Sequence, residues 1–393
     1  MTHRIVAIHL YNDYSGSPKV LAGNLQALQR QGYEIIVHTS DTDGPLTRLE
    51  EVQSQVFSYR PERNKLKQLW KFLLVQILLF SRLIRSLRRS DVVYVNTLLP
   101  FGAAIAARLR GCQVIYHLHE TSVRPAALKG FLKWVAKHTA NRLVYVSAFL
   151  QEAEPIKPAI SCVIPNSLPT DFIQLASNFI RPTDAHTRAF TCLMACSLRA
   201  YKGVNQMVEL ARKLPEIQFE LVLNSTEAEV SAYFNKEQLP DNLVVFPRQS
   251  NMHWFYQRAD LVLNLSLPDQ WIETFGMTLL EGMHYGLPVI GPAVGGPAEI
   301  IEHRQGGFQT SAYDIKSLAL QVRTLAKRPE LYRSFSQKAK ERALRYSHHE
   351  TVKTWISIVS NSLQWKGEAE NTGPTATGAT AGMNVPMVVL PST

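Results

Sequence analysis

Cysteine is scarce in this chain, and the four present follow no ligand spacing. Cys112, Cys162, Cys192 and Cys196 are scattered, which argues against a disulfide framework or a zinc site and fits a reducing cytosol. Apolar runs long enough to cross a bilayer, about 20 residues, are also missing. The best candidate, Leu69 to Ile84, is interrupted by Lys71, Gln76 and Arg82. The N-terminal MTHRIVAIHLYND meets polar residues too soon for a signal peptide and reads as a first strand. Acid is nearly absent from Arg60 to Ser90, where nine Lys and Arg face one Glu. That window carries +8 of the net +10, and the rest of the chain is close to neutral. A basic surface spread over the whole fold is therefore excluded, and nucleic acid is not an expected partner.

What is present reads as two α/β domains, for which 393 residues suffice. Ile5 to Ile8 is an apolar run suited to a buried parallel strand. A loop, Tyr11 to Pro18, carries Gly16; a helix follows from about Lys19 to Gln31, then a strand from Tyr33 to Thr39. This order is Rossmann-like. Further strands are expected at Asp91 to Thr97, Val114 to Leu118, Arg142 to Ser147 and Ser161 to Pro165. The fourth of these six strands ends just before His119, and the C-terminal strand ends of open α/β sheets face their ligands. Leu69 to Ile84 has two readings. It is a core helix, or it lies in a membrane interface with its arginines on anionic headgroups.

Residues 169–188 are polar and carry prolines, as a linker would. A second unit opens with a strand, Thr191 to Ser197, which delivers Arg199 and Lys202 before a helix at Asn205 to Leu214. Two cations beside a helix N-terminus suit a diphosphate. Asn224 ends the strand that starts at Phe219. Helices are expected at Ile315 to Lys327, Glu330 to Arg345 and His348 to Trp365. Gly367 to Thr393, rich in Gly, Thr, Ala and Pro, reads as a disordered tail.

One stretch organises the rest: WIETFGMTLLEGMHYGLPVIGPAVGGPAEIIE, from Trp271 to Glu302. Glu273 and Glu281 are eight positions apart, more than two helical turns, so they would share a helix face poorly. The better placement puts Glu273 in a loop and Glu281 on the helix that follows. Gly276 lets backbone approach a ligand near the helix start, where free N–H groups favour phosphate. Carboxylates accept hydrogen bonds from sugar hydroxyls. On spacing alone the stretch is equally an ordinary strand–loop–helix unit with solvated glutamates.

The run Glu273-Thr274-Phe275-Gly276, Glu281-Gly282-Met283, Gly286-Leu287-Pro288-Val289-Ile290 and Gly295-Gly296 with Glu299 resembles the E-x7-E region of retaining GT-B glycosyltransferases, family 4 above all. Gly282 stands where that family usually has alanine. Pro165-Asn166-Ser167 resembles the family's Pro-Asn-Gly turn. The resemblance implies two facing Rossmann-like domains with a nucleotide sugar in the cleft. Residues 1–168 would form the acceptor domain, with 348–365 crossing back to it. Residues 189–347 would bind the nucleotide sugar, and 366–393 would be the tail.

It implies roles as well. Lys202 and Arg199 would hold the diphosphate, helped by N–H groups near Thr274, Phe275 and Gly276. Glu281 would bind ribose and Glu273 the donor sugar. Asn224 would line the nucleotide site, Gly16 would lie in the loop that closes over the reaction centre, and His119 would orient donor or acceptor. Catalysis would rest on Glu273, His119 and Lys202. No Asp-x-Asp motif stands in a suitable loop, so neither a metal nor another cofactor is expected. The anticipated activity is retaining transfer of a hexose-type sugar to a glycan or lipid-linked acceptor, in bacterial surface-polysaccharide synthesis. The setting would be the cytoplasm, or the inner face of its membrane through residues 60–90. A nucleotide-sugar epimerase of the same fold and a non-catalytic sugar-nucleotide-binding protein are the alternatives.

Overall fold

The computed structural model describes residues 3–62, 64–157, 159–181, 188–235 and 238–371. The chain divides into two compact units, Met1–Pro165 with His349–Thr393, and Asn166–His348.

The first unit contains strands β1 (Arg4–Ile8), β2 (Glu34–Ser40), β3 (Gln53–Phe57), β4 (Val92–Asn96), β5 (Gln113–Leu118), β6 (Arg142–Tyr145) and β7 (Ile160–Val163). Helices α1 (Gly16–Arg30), α2 (Lys65–Ser86), α3 (Phe101–Leu109), α4 (Ala126–Thr139) and α5 (Ala148–Ala153) connect them. All seven strands pair in parallel in the order β3-β2-β1-β4-β5-β6-β7. The central strands β4 and β5 are buried along their whole length, as strands covered on both faces must be. Asp91, buried at the head of β4, takes a two-pronged hydrogen bond from Arg4 of β1 and so ties the amino-terminal ends of these two central strands together.

The second unit contains α6 (Thr170–Asn178), β8 (Thr191–Cys196), α7 (Val204–Lys213), β9 (Gln218–Leu223), α8 (Glu227–Phe234), β10 (Leu243–Phe246), α9 (His253–Arg258), β11 (Leu261–Leu263), α10 (Met277–His284), β12 (Val289–Gly291), α11 (Gly296–Ile300), β13 (Gly307–Gln309), α12 (Ile315–Lys327) and α13 (Pro329–Leu344). Its six strands are also all parallel, in the order β10-β9-β8-β11-β12-β13. In both units the order reverses beside the first strand, which is the doubly wound arrangement that opens a ligand crevice at the carboxyl strand ends. Asn242 locks α7 to this sheet by donating to the carbonyls of Ala211, Leu214 and Ile217.

The last helix, α14 (His348–Asn371), belongs to the first unit beyond its first residue. Trp355, Ile358 and Val359 are buried in the core formed by β1, β4 and α1, and Trp355 stacks on Tyr94 at 4.8 Å. This helix runs six residues past the Trp365 end expected from sequence; the rest of the expected tail, 372–393, lies outside the described residues. Part of the stretch read as a linker is α6, whose Phe172 packs on His253, Tyr256 and Tyr285 of the second unit. Polarity concealed that one apolar face. Residues 182–187 of the same stretch lie outside the described residues. β3 and α4 were not anticipated at all. β3 is a half-exposed edge strand of mixed composition, QSQVF, with no apolar run to mark it.

Candidate functional site

In the second unit the chemistry collects at the carboxyl ends of β8 and β11. β8 ends at Cys196, and a single 3-10 turn, Ala200–Lys202, leads to Gly203 at φ +82° and then α7. A side chain at Gly203 is excluded twice. The left-handed backbone disfavours it, and a Cβ would stand 2.6 Å from the Leu265 carbonyl carbon. This close approach brings Lys202 beside the loop that follows β11. Its ammonium donates to Glu273 Oε2 at 2.5 Å, and the Ser266 hydroxyl donates to the same oxygen at 3.2 Å. Lys202 also lies 5.1 Å from the Trp271 ring centroid, and Trp271 stacks on Tyr201 at 5.2 Å. The Cys196 thiol beneath is pushed up to about 12 by burial, with Lys202 opposing and Glu273 reinforcing the shift.

The acidic loop is held from below by the glycine pair. Gly296 N–H donates to the Glu273 carbonyl at 2.8 Å. A Cβ on Gly296 would collide with the Phe275 backbone and the Thr274 carbonyl oxygen, and one on Gly295 would stand 2.8 Å from Ile272 Cγ2. Gly295 adopts φ +72°. Thr274 and Phe275 follow, with Phe275 buried against Tyr346. Gly276, at φ +121°, starts α10. Glu273 is thus in the loop and Glu281 on the helix, with the positive end of α10 between them in sequence.

Glu281 accepts a hydrogen bond from the Tyr256 phenol. Burial, and then the Glu281 carboxylate, push that phenol well above its ordinary value, so it stays a donor. Gly282 has its own cause: a Cβ there would lie 2.5 Å from Val262 Cγ2 on β11. The departure from alanine is therefore a tight helix–strand contact.

Two further expected donor-site residues follow the ends of β8 and β9. Arg199 is exposed and makes no hydrogen bond or ion pair with another described side chain, so it does not join Lys202 at Glu273. Asn224, just past β9, accepts from Arg248 Nε at 2.8 Å.

In the first unit Gly16 is the first residue of α1, exposed, with open space where a Cβ would go. Its backbone does not require glycine. The loop around it is held instead by Asn12, which is fully buried. Asn12 donates to Thr42 O at 3.0 Å and accepts from Leu46 N at 3.0 Å.

His119 sits just past β5 in a cluster that sequence reading did not assemble. Its Nε2 lies 3.0 Å from Asn96 Oδ1 and 3.1 Å from His117 Nδ1. Asn96 Nδ2 lies 3.0 Å from His9 Nδ1. The Tyr94 hydroxyl lies 2.7 Å from His117 Nδ1, and Trp355 meets the His117 ring edge-on. Burial lowers His9 to about 4 and His117 to about 3. Burial, then His117 and His9, hold His119 well below its usual value. All three imidazoles are neutral near pH 7. Beside them, burial raises the Glu120 carboxyl to about 7. The available signal was positional: His9, Asn96 and His119 stand at or just past the carboxyl ends of β1, β4 and β5, three adjacent strands. No helix among the described residues is long and apolar enough to cross a membrane.

Comparison with known proteins accounts for both units. Residues 14–172 match the family model described as Glycosyltransferase Family 4, and residues 178–342 match that of Glycosyl transferases group 1. An uncharacterized glycosyltransferase of Haemophilus influenzae is 22% identical over 358 residues, 88% of this chain and 96% of that one. The N-acetyl-alpha-D-glucosaminyl L-malate synthase of Bacillus anthracis is 24% identical over 365 residues, 86% and 91% of the two chains. Among solved structures, Anabaena HepE in complex with UDP-glucose superposes with a TM-score of 0.71 at 19% identity, covering 92% of this chain and 99% of that one. Sucrose-phosphate synthase of Thermosynechococcus elongatus gives 0.74 at 17%, covering 93% and 100%. With two doubly wound parallel sheets and both family models matched in tandem, the chain belongs to the GT-B glycosyltransferases of group 1.

Proposed function

We propose that the chain moves a hexose-type sugar from a nucleotide-diphosphate donor to a glycan or lipid-linked acceptor with retention of configuration. The observation that carries this reading is the Lys202–Glu273 pair beside the start of α10. Lys202, with the helix N-terminus, offsets charge growing on the departing diphosphate. Glu273, held by Ser266 and Lys202, accepts from donor-sugar hydroxyls. Glu281, oriented by Tyr256, accepts from ribose. Thr274, Phe275 and Gly276 present backbone to the phosphates, and Asn224 lies at the nucleotide. Arg199, exposed on its extended backbone, swings to the diphosphate when donor binds. Gly16, with open space around it, lies in the loop facing the substrates. His119 is a neutral imidazole fixed by Asn96, suited to orienting a sugar hydroxyl.

The charge stabilisation comes from this chain's own cations, so divalent metal is not required in the reading. A role in bacterial surface-polysaccharide assembly at the cytoplasmic face of the membrane is the biological setting proposed. The two relatives and the Thermosynechococcus structure named above are described as a glycosyltransferase or as synthases, so the epimerase alternative is not carried forward.

The test is transfer from UDP-, GDP- and ADP-glucose, with and without EDTA, to a panel of glycan and lipid-linked acceptors. UDP-glucose is tried first because HepE holds it. Expected are an α-linked product from an α-linked donor, no loss with EDTA, and loss of transfer in Lys202→Ala, Glu273→Ala and Glu281→Ala. Near-wild-type rates in all three variants would refute the assignment. A new epimer formed without acceptor would restore the isomerase.

A further inference from the structure

The outer surface of helices α2 and α4 in the first unit has no part in the chemistry above. α2 is amphipathic in an unusual sense, because both its faces are apolar. Its inner stripe, Phe72, Val75, Gln76, Leu79 and Leu83, is buried. The docking on α3 is close: Gln76 Oε1 accepts from Gly102 N at 2.9 Å, and a Cβ on Gly102 would stand 2.9 Å from the Gln76 carbonyl carbon. The fold therefore makes no demand on the opposite stripe. That stripe still carries Leu66, Trp70, Leu74 and Ile77, spaced by four, four and three residues and 71%, 67%, 59% and 64% exposed. On α4, Phe131 and Trp134 are 42% and 58% exposed. The ring contacts Phe72–Phe101, Phe101–Phe131 and Phe131–Trp134, at 5.8, 5.1 and 6.4 Å, join the two helices through α3. Exposed apolar surface of this extent on a soluble chain marks an interaction site.

Charge selects the occupant. From Lys65 to Thr139 the chain has thirteen Lys and Arg against two acids, Asp91 and Glu120. Asp91 is buried against Arg4, Glu120 is half-buried, and Glu62 and Glu154, just outside this span, pair with Lys71 and with Lys129 and Lys133. Helices α2, α3 and α4 contain no acid at all. A second copy of this chain would set cation against cation across the contact. An anionic bilayer fits both properties. Leucine and tryptophan side chains enter the headgroup–acyl boundary, and lysine and arginine stems extend to lipid phosphates.

We propose that the α2–α4 face docks the protein onto anionic membrane as an interfacial, non-spanning contact. The assignment does not rest on the donor-site reading, and vesicle binding is measured without any sugar nucleotide.

The experiment is cosedimentation of the full chain with phosphatidylcholine vesicles, with and without phosphatidylglycerol, at low and high salt. Expected is binding that requires phosphatidylglycerol and weakens with salt. The variant Trp70→Glu/Leu74→Glu/Ile77→Glu, changed only at exposed positions, should lose binding at least tenfold with its circular dichroism melt unchanged. Lys65→Gln/Lys67→Gln/Arg85→Gln should weaken binding roughly a hundredfold, at about fivefold for each cation near an anionic surface. Should either variant fail to fold, the lipid and salt dependence of the wild type decides alone. Absent binding, or equal binding to neutral vesicles, would overturn the proposal. So would a dimer in sedimentation velocity that Trp70→Glu dissociates, since it would make this face a contact between copies.

Discussion

Breaking the Lys202–Glu273 pair separates its structural role from its chemical one. The two side chains are 14% and 23% exposed. Removing one member of a fully buried pair costs about 3–5 kcal/mol, whereas solvent-exposed pairs contribute about 0–1 kcal/mol. The observed exposure lies between, so Lys202→Ala should destabilise by about 1–3 kcal/mol, leaving Glu273 with the Ser266 hydroxyl. Glu273→Ala should cost less, because Lys202 retains the Trp271 ring and can extend to solvent. In a double-mutant cycle read by urea unfolding, the coupling should be about 1–2 kcal/mol. The rate should respond more steeply. Loss of one preorganised group facing developing charge lowers kcat by roughly 10²–10³, so the fall should exceed what the small stability loss leaves unfolded. Lys202→Arg should retain part of the rate, since it keeps the charge and loses the geometry. Strictly additive stabilities would refute the pair, and a kcat within threefold of wild type in Lys202→Ala would refute its role at the leaving group.

Three further outcomes follow from packing and burial. Gly296→Ala drives a methyl into the Phe275 backbone; it should cost at least about 1–3 kcal/mol and lower transfer further by displacing Glu273, which urea midpoints and kcat together would reveal. Gly282→Ala should destabilise by about 1–3 kcal/mol through Val262, and Val262→Ala should restore part of that; an unchanged midpoint in the single variant would contradict the contact. The buried histidines set a pH dependence. Their folded values are depressed, to about 4 for His9 and about 3 for His117, against about 6.5 unfolded. In that interval the unfolded chain binds more protons. Their contribution is whole above about 6.5 and is lost as pH falls toward the folded values. Unfolding of the first unit at stepped pH should show the decline, and His9→Asn should flatten it; a slope unaltered by that change would exclude His9.

Much of the sheet architecture could be read in advance because parallel strands bury both faces and so appear as unbroken apolar runs, as in Ile5 to Ile8. Edge strand β3 lacked that mark, and α6 was hidden by polar residues around one apolar face. At the site, local spacing placed Glu273 and Glu281 on a loop and a helix, because a turn glycine separates them. The partners were not legible. Tyr256 reaches Glu281 from 25 positions away, and Ser266 reaches Glu273 across a loop whose path no periodicity describes. The histidine cluster was invisible for the same reason: its members lie on three strands that only the β1-β4-β5 pairing makes adjacent. The reason for glycine at Gly282 was not visible until the strand it touches was known.

The route of the chain through its last helix bears on synthesis. The first unit leaves off at Pro165 and resumes at His349, and Trp355 then fills a slot against Tyr94 and His117. On the ribosome, those closing residues emerge only after every residue of Asn166–His348. The middle of the polypeptide is thus available in full while the amino-terminal sheet still waits, with one flank of its interior unsealed, for the final helix.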